Sequence, residues 1–217
     1  MEWDLLAGVP AEDVRELLRT ARRRTFARNE VVFHRDDPGD SLHLIHKGRF
    51  SLRVMTPLGD VATIGVLGPG DSFGEMALLA EEPLRSATVT ALEEAETFAV
   101  RRAEFDRLRS RHPEIDRLLL RFLAGELRRV HQRMLEALYV SAEKRVLRRL
   151  VELAGLYRSG DGDISIALTQ ESIAELAGVA RPTVNHVLRE EEKRGTIVLE
   201  RGRTRVVDLE DLARRSR

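Results

Sequence analysis

Apolar side chains recur at two different spacings along the chain, and the spacing changes twice. Between Pro10 and about Arg22 the spacing is helical, and the basic run Arg22–Arg24 is expected to close this helix by complementing its dipole. Between Thr25 and Val100 short apolar or alternating runs take over, which is the pattern of β-strands. After this segment the helical spacing returns. The chain therefore predicts an α+β protein with a β-rich part near its N-terminus.

The β-rich segment predicts a barrel or jelly roll. Its strand candidates are Val31–Phe33, Leu42–Ile45, Phe50–Val54, Ala62–Val66, Ala87–Ala91 and Thr97–Val100. Turn-forming residues separate them at 36–40, 47–48, 57–60 and 68–71. Many short strands joined by glycine and proline turns are typical of small closed or double-layered β-domains.

One long helix is predicted from Pro113 to about Leu138. An apolar seam follows it with the three-four spacing of a coiled coil, at Leu120, Leu123, Leu127, Val130, Met134 and Ala137. A second stripe, at Ile115, Leu119 and Phe122, leaves a face to pack on the barrel. The seam favours pairing with a second copy of the chain, and the alternative is a helix buried between two domains of a monomer. A hinge at Val140–Ala142 precedes another helix, Lys144–Tyr157, and a polar loop, Ser159–Asp163.

Residues 169–194 have the pattern of a helix-turn-helix. A short helix over Gln170–Ala177 is followed by a turn at Gly178, where a positive φ is needed, and by a second helix from Arg181 to about Lys193. Pro182 suits the first turn of that second helix. Side chains able to contact base edges or phosphates in a major groove then follow at Arg181, Thr183, Asn185, His186 and Arg189.

Two neighbouring features extend this DNA-binding pattern. A hairpin of Ile197–Leu199 and Arg205–Val207 has a basic tip with Arg201 and Arg203, which suits a wing lying against phosphate. Thr169 and Gln170 begin the first helix, where side chain and backbone N–H can hold phosphate. The alternative is a structural three-helix subdomain, which the acidic run Glu190–Glu192 would suit.

The segment from Gly70 to Val89 has the chemistry of a phosphodiester site. Gly74 permits close approach of the backbone, and Arg85 with the Ser86 hydroxyl can complete an anion clamp. Glu75 would repel phosphate but can accept hydrogen bonds from a ribose hydroxyl. Two alternatives remain: Ser72 and Glu75 form only a capping box, or Arg85 pairs with Glu75 and no ligand lies between them.

Composition narrows the function without deciding it. The chain has 36 basic and 36 acidic residues and no cysteine, which excludes disulfides, thiolate metal sites and cysteine nucleophiles. Because the net charge is zero, any DNA-binding surface has to come from local arrangement. No histidine lies in a spacing typical of a metal site, and no catalytic constellation is recognised. Without a leader pattern or a long apolar run, we expect a cytoplasmic protein that does not enter the membrane.

These residues together resemble the cyclic AMP receptor protein family, also called the CRP/FNR superfamily of bacterial transcription regulators. The similar segments are Phe73–Leu78, Arg85–Val89 and Ala180–Asn185, and the barrel glycines Gly39, Gly48 and Gly70 also correspond. The resemblance covers nearly the whole chain. It implies a ligand-sensing β-barrel over residues 1–112, a dimerisation helix and hinge over 113–140, and a winged helix-turn-helix over 141–217.

The resemblance also implies a ligand and partners. Cyclic AMP or another cyclic nucleotide would lie against Phe73, Gly74, Glu75, Met76, Ala77, Arg85, Ser86, Ala87, Val130 and His131. Gly74 and Glu75 would meet the ribose, and Arg85 and Ser86 the cyclic phosphate. The partners implied are a second copy of the chain, a pseudo-palindromic double-stranded operator and RNA polymerase. Its function would be regulatory rather than enzymatic.

This chain departs from the family's pattern at two places. Members that respond to cyclic AMP carry a small hydroxyl pair where this sequence has Val130 and His131, and Val130 offers a base only packing. Pro182 stands where members that read the familiar operator have an acidic residue, so the preferred half-site should differ. The alternative within the family is a regulator that needs no cyclic nucleotide. Outside it, the alternatives are the regulatory module of an enzyme and an adaptor.

Overall fold

The computed structural model describes residues 2–56, 59, 61–158 and 164–217. It divides the chain into two compact units, residues 1–54 with 65–129 and residues 55–64 with 130–217. Among the described residues no helix is long and apolar enough to cross a bilayer. The expected limits at residues 112 and 140 stay a prediction.

The N-terminal segment folds into two four-stranded sheets. One sheet has the order β1-β8-β3-β6 and the other β2-β7-β4-β5. The strands are β1 (Arg22–Phe26), β2 (Val31–Phe33), β3 (Ser41–Lys47), β4 (Phe50–Met55), β5 (Val61–Leu67), β6 (Ser72–Phe73), β7 (Thr88–Ala91) and β8 (Ala95–Arg101). The helices around them are α1 (Ala11–Thr20), α2 (Glu75–Leu79) and α3 (Arg102–Arg111), preceded by a 3-10 turn at Asp4–Leu6. The predicted β-rich domain and α+β class are confirmed.

The first unit has two apolar clusters because the strands alternate their side chains. Leu42 and Leu44 of β3 face a cluster with α1, α3 and the start of the long helix, whereas Ile45 faces a cluster with Phe50 and Val89 of the other sheet. Trp3 closes the first cluster, and its indole Nε1 donates to the Ile45 carbonyl at 2.9 Å. Strand β3, which pairs with β6 of the candidate ligand segment, is thus packed on both faces.

The long helix α4 (Glu114–Tyr139) has two apolar faces, as predicted. Ile115 and Leu119 are buried in the first unit's core. The large seam residues remain exposed, with exposed fractions of 67% for Leu120, 56% for Leu127, 59% for Val130 and 55% for Met134. The dimer and the alternative of a helix buried between two domains of a monomer both stay predictions.

The C-terminal unit is built from α5 (Ala142–Tyr157), β9 (Ile164–Ile166), α6 (Gln170–Ala177), α7 (Arg181–Lys193), β10 (Ile197–Glu200), β11 (Arg203–Val206) and α8 (Leu209–Arg215). Its three strands form one antiparallel sheet in the order β10-β11-β9. The side chains of Ile173, Val184 and Leu188 are fully buried between the helices. The predicted helix-turn-helix elements are confirmed to the residue.

The junction between α4 and α5 contains a buried group of charges. Ser141 caps α5 by accepting from the backbone N–H of Lys144. The Glu136 carboxylate, on the last turns of α4, contacts Arg149 and accepts from Arg148 at 2.9 Å. The side chains of Glu136 and Arg149 are only 7% and 4% exposed. A pair buried so deeply fixes the path of the chain at the predicted hinge.

Several sequence predictions are wrong or incomplete. Arg22–Arg24 do not close α1, which ends at Thr20; they begin β1, pair with Ala99, Phe98 and Thr97, and leave their side chains accessible. Strands β6 and β9 were not predicted. The turn of the C-terminal hairpin spans only Arg201 and Gly202, with Gly202 at φ 76°. The polar loop Ser159–Asp163 and most of the turn 57–60 lie outside the described residues.

Candidate functional site

Arg85 is a buried cation held by backbone and hydroxyl oxygens. Its Nη1 donates to the carbonyls of Ser41 at 2.8 Å and Gly74 at 3.2 Å, and its Nη2 donates to the Ser41 hydroxyl at 3.0 Å. The residue is 4% exposed. Burial lowers the pKa of Arg85 from its ordinary value, and the carboxylates of Asp40 and Glu75 oppose that change. These contacts join β3, the turn before α2 and the segment after it.

The remaining contacts of Arg85 leave one donor unused. The guanidinium carbon lies 4.1 Å from the centroid of the Phe33 ring, which is a cation–π contact. Within the described part of the chain, no protein atom accepts from its buried Nε. An added Cβ on Gly39 would lie 2.8 Å from Nε, and one on Gly74 would lie 2.5 Å from Nη1. The two glycines therefore leave the space that the guanidinium occupies.

Glu75 is the first residue of α2 and is buried. Gly74, before it, has φ 91°, and no side chain caps the helix there. Ser72 lies on β6 instead, so the capping-box alternative is wrong. Burial raises the pKa of Glu75 to about 7; the nearby Glu126 carboxylate adds to the rise, whereas Arg85 opposes it. About half of the Glu75 carboxyls are thus protonated at neutral pH.

The alternative in which Arg85 pairs directly with Glu75, with no ligand between them, is also wrong. The guanidinium hydrogen bonds of Arg85 go to Ser41 and Gly74, and no ion pair with Glu75 is found among the described residues. The other expected ligand residues divide into two groups. Phe73, Ala77 and Ala87 are buried, whereas Ser86 and Met76 are exposed. A buried cation and carboxyl thus lie close to an accessible hydroxyl without neutralising each other directly.

Three residues beside Arg85 were missed as contributors. Ser41 and Phe33 hold the guanidinium, and His43 supports them by stacking on Phe73 with ring centroids 4.9 Å apart. His43 is bonded to Thr97 at 3.0 Å, and burial lowers the pKa of His43 to about 3, so its ring is neutral. No sequence motif marks these contacts, because β-strand pairing brings distant residues together. Val130 and His131 are exposed on α4 in the second unit.

The helix-turn-helix presents most of its expected contact residues to solvent. Gly178 ends α6 with φ 60°, as the sharp turn requires. Arg181 and Pro182 begin α7, and the Arg181 side chain is 66% exposed, with Glu171 3.9 Å away. His186 and Arg189 are exposed, whereas Thr183 is only partly so. The exposed donors lie on the first three turns of α7.

Three polar residues have internal partners that the sequence did not reveal. The Thr169 hydroxyl caps α6 by accepting from the backbone N–H of Ser172 at 3.1 Å. Asn185 is partly buried; its Nδ2 donates to Gln170 at 3.1 Å, and its Oδ1 accepts from Arg189 at 3.2 Å. The hydrogen bonds of these polar groups are therefore already formed in the protein without DNA.

The tip of the β10–β11 hairpin is exposed and basic. Arg201 and Arg203 are both exposed, and Glu200 lies 3.8 Å from Arg203 and 3.6 Å from Arg205. Among the described residues of this hairpin, no carboxylate pairs with Arg201, whereas Arg203 and Arg205 both lie near Glu200. A wing of this form can place one or two cations against phosphate.

Comparison with known proteins covers both units. Residues 23–112 match the cyclic nucleotide-binding domain family, and residues 144–215 match the Crp-like helix-turn-helix domain. The chain is 33% identical to a CRP-like cAMP-activated global transcriptional regulator of Mycobacterium tuberculosis over 98% of this chain and 96% of that protein. It is 32% identical to a cyclic AMP receptor protein of Thermus thermophilus over 96% of both chains.

Solved structures agree with the sequence relatives. A transcriptional regulator of the CRP family from Thermus thermophilus superimposes with a TM-score of 0.72 at 27% identity, covering 89% of this chain and 96% of that one. The relatives are transcription regulators rather than enzymes, and their matches span both the barrel and the helix-turn-helix. The chain belongs to the CRP/FNR family of DNA-binding transcription regulators and carries a cyclic nucleotide-binding domain.

Proposed function

We propose that this protein is a homodimeric regulator whose affinity for DNA depends on a cyclic nucleotide, with cyclic AMP as the first candidate. The cyclic phosphate would bind at Arg85 and Ser86, and the ribose at Gly74 and Glu75. Phe73, Met76, Ala77 and Ala87 would shape the rest of the pocket. The protein would act in the cytoplasm, where it meets chromosomal DNA and RNA polymerase.

The single observation that carries this proposal is the burial of the Arg85 guanidinium together with its incomplete hydrogen bonding. A buried guanidinium is costly, and among the described residues this one has no paired carboxylate and has one donor without a protein acceptor. An anionic phosphate next to the exposed Ser86 hydroxyl would satisfy both the charge and the donor. The cyclic nucleotide-binding match and the names of the cAMP-activated relatives support the same class of ligand.

The dimer is supported by the exposed seam of α4. Four large apolar side chains with coiled-coil spacing, each more than half exposed, favour a second copy of the same helix as their cover. A two-fold dimer would place two α7 helices in successive major grooves, about 34 Å apart, on a pseudo-palindromic site. Arg181, Thr183, His186, Arg201 and Arg203 would contact that site.

A ligand that binds one arrangement of the dimer better than another would shift the populations of the two. The proposed route runs from Glu75 and Arg85 to α4 and then to the hinge at 139–142. The change in DNA affinity on ligand binding is limited by the difference between the ligand's affinities for the two arrangements of the dimer.

Calorimetric titration with cyclic AMP tests the ligand proposal. We expect saturable binding of one nucleotide per chain, and we expect Arg85→Lys to weaken it strongly because a lysine cannot supply the guanidinium fork. Arg28→Ala, at an exposed arginine of the same unit, is the matched control and should bind as the wild type does. A wild-type protein that gives no heat of binding with cyclic AMP and none with cyclic GMP would overturn the proposal.

The second candidate is a family member that binds DNA without a cyclic nucleotide. Val130 favours it, because this apolar side chain stands where cAMP-responsive members are implied to have a hydroxyl. In that case DNA affinity would be the same with and without saturating cyclic AMP. The calorimetric result and the DNA affinity together separate the two candidates.

A further inference from the structure

A chain of hydrogen bonds crosses the helix-turn-helix and ends at Arg189. Gln170 is the first residue of α6, Asn185 lies in the second turn of α7, and Arg189 follows one turn later. Asn185 Nδ2 donates to Gln170 Oε1 at 3.1 Å, and Arg189 Nε donates to Asn185 Oδ1 at 3.2 Å. These hydrogen bonds therefore join α6 and α7 through side chains alone.

The donor and the acceptor in each of these hydrogen bonds follow from the chemistry of the three side chains. A guanidinium can only donate, so the oxygen of the Asn185 amide has to face Arg189. The NH₂ group of Asn185 then faces Gln170, which has to present its own oxygen. The Gln170 NH₂ and the two Nη groups of Arg189 are left at the ends of the chain, and all of these groups are donors.

The burial of the three residues agrees with this assignment of donors and acceptors. Gln170 and Asn185 are partly buried, whereas Arg189 is exposed. No ion pair to Arg189 is found among the described residues, in contrast to Arg181, which has Glu171 3.9 Å away. Asn185 uses one of its two amide N–H groups and its oxygen on these internal partners, and within the described residues no carboxylate pairs with the two Nη groups of Arg189.

We infer that Asn185 is a positioning residue that directs the Arg189 fork toward acceptor atoms of DNA, and that Asn185 reads no base itself. The inference rests on the proposed entry of α7 into a major groove. The acceptor pair is either two phosphate oxygens or N7 and O6 of a guanine, which share the same geometry for a bidentate guanidinium. Arg189 is then a DNA contact whose geometry depends on α6.

A double-mutant cycle on operator DNA tests the inference. Arg189→Ala should weaken binding by about fivefold or more, and Asn185→Ala by a smaller factor. Because Asn185 acts through Arg189, the double variant should bind like Arg189→Ala alone. His186→Ala, at the exposed neighbour of Asn185, is the control, and its effect should multiply with that of Arg189→Ala. Thermal unfolding of each variant checks that the C-terminal unit stays folded.

A base-substitution scan of the operator provides the readout that a structural role would not change. If Asn185 only positions Arg189, then Asn185→Ala relaxes no base preference that Arg189→Ala leaves intact. A lower salt dependence of Arg189→Ala, equal on all sequences, identifies phosphate as the acceptor; loss of preference for one guanine in each half-site identifies the base.

Multiplicative effects of Asn185→Ala and Arg189→Ala, or a base preference lost only in Asn185→Ala, would overturn the inference. Either result would leave the proposed function standing as long as Arg181→Ala weakens binding. A wild-type protein without any salt-dependent DNA binding would overturn the proposed function and this inference together.

Discussion

At the scale of single residues, Arg85 is held in place by the glycines and the oxygen atoms around it. Its guanidinium occupies space that exists because residues 39 and 74 have no side chain, and two carbonyls and a hydroxyl fix its direction. The sequence indicated Arg85, Gly74 and Glu75 but not Ser41 or Phe33. Those two become neighbours of Arg85 only through sheet pairing and packing, which no local pattern records.

Gly74→Ala should weaken cyclic AMP binding by about tenfold or more, because φ 91° is strained for alanine and the new Cβ would displace Arg85. Calorimetry measures the affinity. Gly65→Ala is the control, because a Cβ there meets nothing within 4 Å and the residue has no positive φ. Equal affinities of the two variants would show that Gly74 does not set the position of the guanidinium.

The buried carboxyl of Glu75 predicts that ligand affinity depends on pH. Its pKa of about 7 leaves it mostly protonated at pH 6 and mostly ionised at pH 8. Only the ionised form can accept fully from a ribose hydroxyl, so cyclic AMP affinity should rise about tenfold over this range. Glu75→Gln should abolish the rise. A wild-type affinity that falls with pH would show that the carboxyl binds as a donor.

The same group predicts the opposite trend for stability without ligand. The folded pKa of Glu75, about 7, lies above its ordinary value of 4.5, so the folded state binds more protons between these limits. The stabilisation is complete below pH 4.5 and is lost as the pH rises through 7, by roughly 3 kcal/mol at most. Urea unfolding of the wild type and of Glu75→Gln across this range measures it.

At the scale of elements, the junction of α4 and α5 depends on a buried charge pair. Glu136→Ala would leave the buried Arg149 guanidinium without that carboxylate, which costs about 3 kcal/mol or more. Urea unfolding followed by circular dichroism measures the loss. Glu143→Ala, at an exposed glutamate in the first turn of α5, is the control. A loss below 1 kcal/mol in Glu136→Ala would mean that Glu152, which lies 2.7 Å from Arg149, compensates for the lost carboxylate.

The elements that the sequence predicted well are those with a long or strict pattern. Helices α4, α6 and α7 were placed within one or two residues because several turns repeat the same spacing. Strand β1 was missed since its arginines carry no apolar signal, and it is fixed by pairing with β8. Strand β6 has only two residues, too few for an alternating pattern, and the Ile-Ser-Ile alternation of β9 was not recognised because it spans only three residues.

For the whole molecule, the exposed seam of α4 predicts self-association. Leu127→Glu would bury a charge in the proposed interface, so the variant should sediment as a monomer where the wild type is a dimer. Arg128→Ala, next to it on the helix but off the seam, should remain dimeric. In footprinting, the monomeric variant should lose paired protection of the two half-sites. Dimeric Leu127→Glu would place the interface elsewhere.

Trp3 gives the protein a built-in optical reporter. It is the chain's single tryptophan, and its indole is buried in the first unit, bonded to Ile45 and packed edge-on against Phe98 with centroids 6.0 Å apart. Its emission should shift to the red when that unit unfolds, whereas the C-terminal unit has no tryptophan. Tryptophan fluorescence and circular dichroism recorded on one sample can therefore follow the unfolding of the barrel separately from that of the helix-turn-helix, without any label.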